Sequence, residues 1–232
     1  MMMKIATAIG LAALMAGTAS AAERSWSPGK FDQIEVRGPY DVVVTTGGDH
    51  SVRAEGDSDD LERLEVRVDG DRLIVSRERG RGMRGWFGGG GDKVRILVSA
   101  EQIREASLSG SGDLIIDRVN GDEVKLAMSG SGDIEVGAIS AGKARLAMSG
   151  SGDISAAGAC REGSLSMSGS GDIHAGDLAC ETVEVSVAGS GDVEARAAET
   201  ANVKIAGSGD VRITGGARCT SKVAGSGSVD CS

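Results

Sequence analysis

The sequence predicts an all-β fold: a parallel β-helix or β-solenoid of about seven rungs of 18–20 residues, preceded by an irregular β-rich N-terminal cap. Three observations carry that expectation. Gly-Ser-Gly-Asp recurs at Gly110, Gly130, Gly150, Gly169, Gly189 and Gly207, and Gly225-Ser226-Gly227-Ser228 is a further copy without its acid. The intervals are 20, 20, 19, 20, 18 and 18 residues, a regularity that marks a solenoid or an array. Between the motifs apolar residues alternate with polar or small ones, the period of half-buried strands. A helical array does not fit, because the apolar period is two and glycines recur in every unit. A propeller blade needs a repeat of roughly 40 residues.

Residues 1–22 read as a secretory signal peptide. Lys4 supplies the basic start, Ile5 to Met15 a short apolar run, and Ala19-Ser20-Ala21 a small-x-small cleavage site. The run is too short to span a bilayer, which takes roughly 20 apolar residues, and no Cys follows the cleavage site to carry a lipid. Removing it takes away Lys4 alone, leaving 24 basic residues (25 less one) against 34 acidic, a net charge of −10. Such a chain is a poor partner for nucleic acid or an anionic membrane surface. Two Trp, two Phe and one Tyr are few, so a narrow interior must be filled by aliphatic side chains.

Residues 23–105 are β-rich without the same period. Phe31 to Val36 alternates, Tyr40 to Thr46 is a Val-rich strand, and Leu64 to Val68 and Leu73 to Val75 flank a hairpin turn at Asp69-Gly70-Asp71. Asp57 to Leu64 suits one helical turn, and Lys93 to Val98 another strand. These strands are expected to form irregular early rungs or a sheet that caps the column, since a bare first rung exposes apolar side chains and strand edges. Residues 77–92, Arg- and Gly-rich, read as a flexible loop; Arg84, Trp86 and Phe87 make it a candidate contact loop, against the blander reading of a mobile insertion.

Residues 106–232 are the rungs. Aligned on the glycines, Leu108, Met128, Met148, Met167, Val187, Ile205 and Val223 fall in one column, and Leu114, Ile134, Ile154, Ile173, Val193, Val211 and Val229 in another. Like residues then stack at roughly 4.8 Å. At each corner glycine permits a sharp turn, and serine and aspartate can bond the amides that a corner exposes.

Phe31-x-x-Ile34-x-Val36-x-Gly38, then Asp71-x-Leu73-x-Val75, then reiterated Ser-Gly-Ser-Gly-Asp rungs resemble the putative auto-transporter adhesin, head GIN domain family, a bacterial domain of unknown function. The resemblance spans about residue 31 to the C-terminus. It implies a parallel β-helix-like fold in exported proteins and carries over no catalytic residue. No amphipathic barrel strands follow the last rung, so anchoring by such a barrel is not expected.

Chemistry is thinly represented. Asp113, Asp133, Asp153, Asp172, Asp192 and Asp210 should form a column; a carboxylate ladder is a candidate for Ca²⁺, but the reading we favour has each acid accept amide bonds at its own corner. Cys160 and Cys180 each lie nine residues before the next corner glycine, which sets them on adjacent rungs at disulfide distance. Cys219 and Cys231 then remain to staple the final rung. His50 and His174 are the only histidines, and no nucleophile elbow with acid and His partners occurs. No cofactor and no catalytic residue is expected. The favoured function is an exported structural or binding module, adhesin-like or envelope-associated, in the periplasm or at the surface of a bacterium. Its candidate partners are an envelope glycan or protein. The alternatives are a glycan-active β-helix lyase or hydrolase, and a self-assembling solenoid.

Overall fold

The computed structural model describes residues 22–78 and 94–232. The expected signal peptide, apart from Ala22, and the candidate contact residues Arg84, Trp86 and Phe87 lie outside the described residues. The elements are β1 (Ala22–Trp26), β2 (Gln33–Arg37), β3 (Asp41–Thr46), β4 (Ser51–Gly56), α1 (Ser58–Glu62), β5 (Leu64–Asp69), β6 (Arg72–Arg77), β7 (Arg95–Ala100) and β8 (Glu105–Gly110). The long wrapping strands β9 (Leu114–Gly130), β10 (Ile134–Gly150), β11 (Ile154–Gly169), β12 (Ile173–Gly189) and β13 (Val193–Gly207) follow, then β14 (Val211–Thr214), β15 (Arg218–Gly225) and β16 (Val229–Cys231). Together they make a parallel β-solenoid of about six turns.

Register is in phase from rung to rung. Leu126 pairs with Leu146 and Leu146 with Leu165, Met128 with Met148 and Met148 with Met167. The inward columns are buried as far as Ile213, each aliphatic contributing about 1.5–3 kcal/mol by leaving water.

The four-residue corner explains why both glycines recur in every copy from Gly110 to Gly227. Ser151 N–H donates to the Gly130 carbonyl at 2.9 Å, and Ile134 N–H to the Asp153 carbonyl at 2.9 Å. The corners therefore hydrogen-bond to one another as the strands do. The first glycine of each corner is held at positive φ, +145° at Gly150, and a Cβ there would strike the Gly130 carbonyl oxygen. The second is excluded from having a side chain by contact alone, since a Cβ on Gly152 would strike the Gly132 carbonyl oxygen.

The N-terminal half begins with a rung of the same kind. β2, Gly38-Pro39-Tyr40-Asp41 and β3 repeat the strand–corner–strand pattern, with β2 parallel to β8 and β3 parallel to β9. Gly38 takes the positive φ of a corner glycine, +124°, and Tyr40 stands where the second glycine would be. The layer beneath, β6 and β7, is parallel to β2 and β3 but is joined by residues 78–94 instead of a four-residue corner. That layer is covered by antiparallel strands: β5 on β6, and β4 on β7, with β1 on β4. Both expectations for this half hold together, because one irregular rung precedes the excursion that forms the cap. The α1 turn is started by the Asp57 side chain, which accepts from Asp59 N–H at 2.9 Å.

The contact argument predicts that Gly152→Ala destabilises the protein by more than about 2 kcal/mol in urea unfolding. Gly29→Ala, where an added Cβ meets nothing within 4 Å, changes stability by less than about 0.5 kcal/mol.

Candidate functional site

The aspartate column is an inter-rung ladder. Asp153 N–H donates to Asp133 Oδ1 at 2.9 Å, Asp172 N–H to Asp153 Oδ1 at 2.8 Å, Asp192 N–H to Asp172 Oδ1 at 2.7 Å and Asp210 N–H to Asp192 Oδ1 at 2.8 Å. Below, Asp133 N–H reaches Asp113 Oδ1 and Asp113 N–H reaches Asp41 Oδ1, both at 3.3 Å. The amide each carboxylate serves belongs to the next rung, not to its own corner as the sequence reading had it. Where the backbone turns, no main-chain carbonyl faces that N–H, and the side chain supplies the missing acceptor. At Ser228, which stands in the place of the acid, the N–H and Oγ both donate to Asp210 Oδ1, at 2.8 and 2.9 Å. Asp41 was missed as the ladder's first member; the shared spacing of Gly38 to Asp41 with Gly110 to Asp113 was the available signal. Among the described residues no three His, Cys, Asp or Glu side chains are placed to hold a metal ion.

Cys160 is bonded to Cys180 with Cα atoms 4.5 Å apart, and Cys219 to Cys231 with Cα atoms 6.6 Å apart. The first bridge lies inside the column, its cysteines 7% and 4% exposed. Its place follows from the core around it. In β11 three inward columns shrink at once: Ala156 stacks on Val136, Gly158 on Ile139, and Gly163 on Ala144. Gly163 lies against the Cys180 sulfur, so that an added Cβ would be 3.2 Å from it. The bridge occupies volume that aliphatic side chains fill in neighbouring rungs, which limits the void penalty. The second bridge ties β15 to β16 within the last rung.

His50 Nε2 lies 2.9 Å from the Phe31 carbonyl oxygen and its ring meets Phe31 edge-on, while His174 is exposed on the outer face of β12. Two groups are displaced from their ordinary ionisation. Burial raises the Tyr40 hydroxyl, with Arg77 opposing, and the hydrogen bond to Asp32 raises the Arg104 guanidinium. Tyr40 is buried in the first rungs, and Arg104 is tied to Asp32 at 2.7 Å.

One concave feature among the described residues is a cleft of about 740 Å³ at the N-terminal cap, between β1 and the β5–β6 hairpin. Arg24, Trp26, Leu64, Val66, Arg67 and Arg77 line it with three glutamates. The Arg24 guanidinium lies 4.8 Å over the Trp26 ring and donates to the Leu61 carbonyl at 3.1 Å, which fixes the pair. Arg67 is shared between Glu65 and Asp69, and Arg77 faces Asp60 at 3.6 Å. The sequence reading did not single out this cleft, because its walls come from segments far apart in the chain.

The family described as putative auto-transporter adhesin, head GIN domain, matches residues 30–217. The chain belongs to that family. Among solved structures, this head GIN domain is similar to a putative adhesin from Bacteroides fragilis, 20% identical with a TM-score of 0.83. It is also similar to a putative lipid binding protein from Parabacteroides distasonis, 21% identical with a TM-score of 0.73. A third similar structure is a putative adhesin from Parabacteroides merdae, 18% identical with a TM-score of 0.69. Each alignment covers 93% of this chain and 98% of the other. At these identities the likeness speaks to the fold of the head GIN domain. Comparison with curated proteins finds no match.

The ladder predicts that Asp153→Ala, which strands the Asp172 N–H, lowers stability by about 1–3 kcal/mol, whereas Asp153→Asn keeps an acceptor and most of the stability. Thermal and urea unfolding of both variants measure the difference.

Proposed function

We propose that this head GIN domain is an exported, non-enzymatic binding module, adhesin-like in recognising an envelope glycan or protein. The observation that carries the reading is the contrast between its two parts. The rungs carry in-register strands with paired surface charges such as Lys143–Glu162 and Lys204–Glu184. The cap carries the cleft, where a tryptophan, aliphatic side chains and several guanidinium groups converge, the mixture of apolar area and orienting polar groups typical of recognition sites. The family and structural likenesses to putative adhesins support a binding role, and the two disulfides suit an oxidising compartment outside the cytoplasm. Among the described residues no helix is long and apolar enough to cross a membrane.

Binding of the purified chain to bacterial envelope fractions and to a glycan array is the test. The expected outcome is saturable binding that Trp26→Ala with Arg67→Ala reduces at least about tenfold while the melting temperature stays within a few degrees. Absence of binding, or binding that the double substitution leaves intact, contradicts the reading. Release of new reducing ends or unsaturated sugars from an envelope glycan would instead establish the lyase or hydrolase alternative.

A further inference from the structure

The two ends of the column differ. At the N-terminal end the outermost strands β1 and β5 run antiparallel to the layer they cover, carry Glu23, Arg24, Glu65 and Arg67, and are held apart by the cleft. They do not present the outline of a rung. At the C-terminal end β15 pairs only with β13 and β16 only with β14, so the outer edges of both strands are unpaired among the described residues. Val223 sits in the inward column that runs from Leu108 to Ile205, yet it is 43% exposed where Ile205 beneath it is 3%. Val229, at the top of the other column, is partly buried. The Cys219–Cys231 bridge fixes the outline of this rung. Lys222 and Arg218 alternate with the inward residues and point off the face of the sheet, so they do not block the edge.

We propose that this edge pairs with the same edge of a second copy, tail to tail, to form a closed dimer. The partner must supply two short strands at the separation of β15 and β16, with an apolar patch between them to cover Val223. A solenoid end of the same cross-section does this, and among the described residues the edge of β15 and β16 is such an end. Ser228 argues against the alternative of a head-to-tail stack. Every rung that accepts another in parallel offers a carboxylate to the incoming corner amide, and the last rung offers a serine hydroxyl already committed to Asp210. Two copies related by a two-fold axis across the column bring like edges together antiparallel, a pairing that needs no corner ladder. The interface is isologous, so it closes at two and does not propagate into a fibre.

Light scattering and sedimentation of the purified chain, from about 1 µM to about 1 mM, test this. The expected result is a species of twice the monomer mass. Val223→Lys, an inward charge at an edge, should raise its dissociation constant at least about tenfold with an unchanged melting temperature. Leu97→Lys, at an exposed residue near the other end (38%), should leave it unaltered. A monomer throughout, a dimer indifferent to Val223→Lys, or open filaments in electron micrographs would overturn the proposal. So would loss of envelope binding in Val223→Lys from a chain that stays monomeric, since the edge would then serve a different strand. Retained envelope binding by a monomeric Val223→Lys variant keeps this question separate from the cleft's.

Discussion

Contact between successive corners governs the rest of this structure. Gly150 and Gly152 lie against the carbonyl oxygens of Gly130 and Gly132, and the same relation repeats up the column to Gly225 and Gly227. At that approach there is room for hydrogen atoms and no more. The corner amides are then bonded to the rung before, serine's to a glycine carbonyl and aspartate's to a carboxylate. A side chain introduced at one corner would force apart the strands on both sides of it. The spacing of parallel strands, roughly 4.8 Å, is thus enforced at the turn as well as along the sheet.

This constraint accounts for the composition of the interior. With the corners fixed, the cross-section is narrow, and the inward positions take Leu, Ile, Val, Met and Ala in columns. Where those columns thin, around Ala156, Gly158 and Gly163, a disulfide takes the space. Where the corner motif lapses, in the layer made by β6 and β7, the second glycine of the adjoining rung is replaced by Tyr40, which is buried and raised in pKa by that burial. The cap beyond it is antiparallel, and the cleft lies there because two antiparallel extensions diverge from the parallel column.

Much of this was legible in the sequence because the repeat is printed there. The corner spacing gives the register, the register gives the columns, and the columns place Cys160 over Cys180. The replacement of the acid by Ser228 is also visible, although that each carboxylate serves the rung above it is not. The N-terminal rung was harder to read. Ile34-x-Val36-x-Gly38 has the rung pattern, but Pro39 and Tyr40 replace the serine and second glycine, and its neighbours in space, β6 and β8, lie more than 30 residues away in the chain. The cleft was illegible for the same reason: Arg24 and Trp26 come from β1, and Leu64 to Arg67 from β5, and no local pattern says that they face one another.

Amide hydrogen exchange read residue by residue at the corners bears most directly on this picture. If carboxylate-to-amide bonds tie each rung to the next, the N–H groups of Asp153, Asp172 and Asp192 exchange as slowly as those of the strands beside them, although their side chains are partly exposed. Exchange at the rate of open turn amides, with the flanking strands still protected, would mean that the rungs are held by their sheets alone and that the corners only follow.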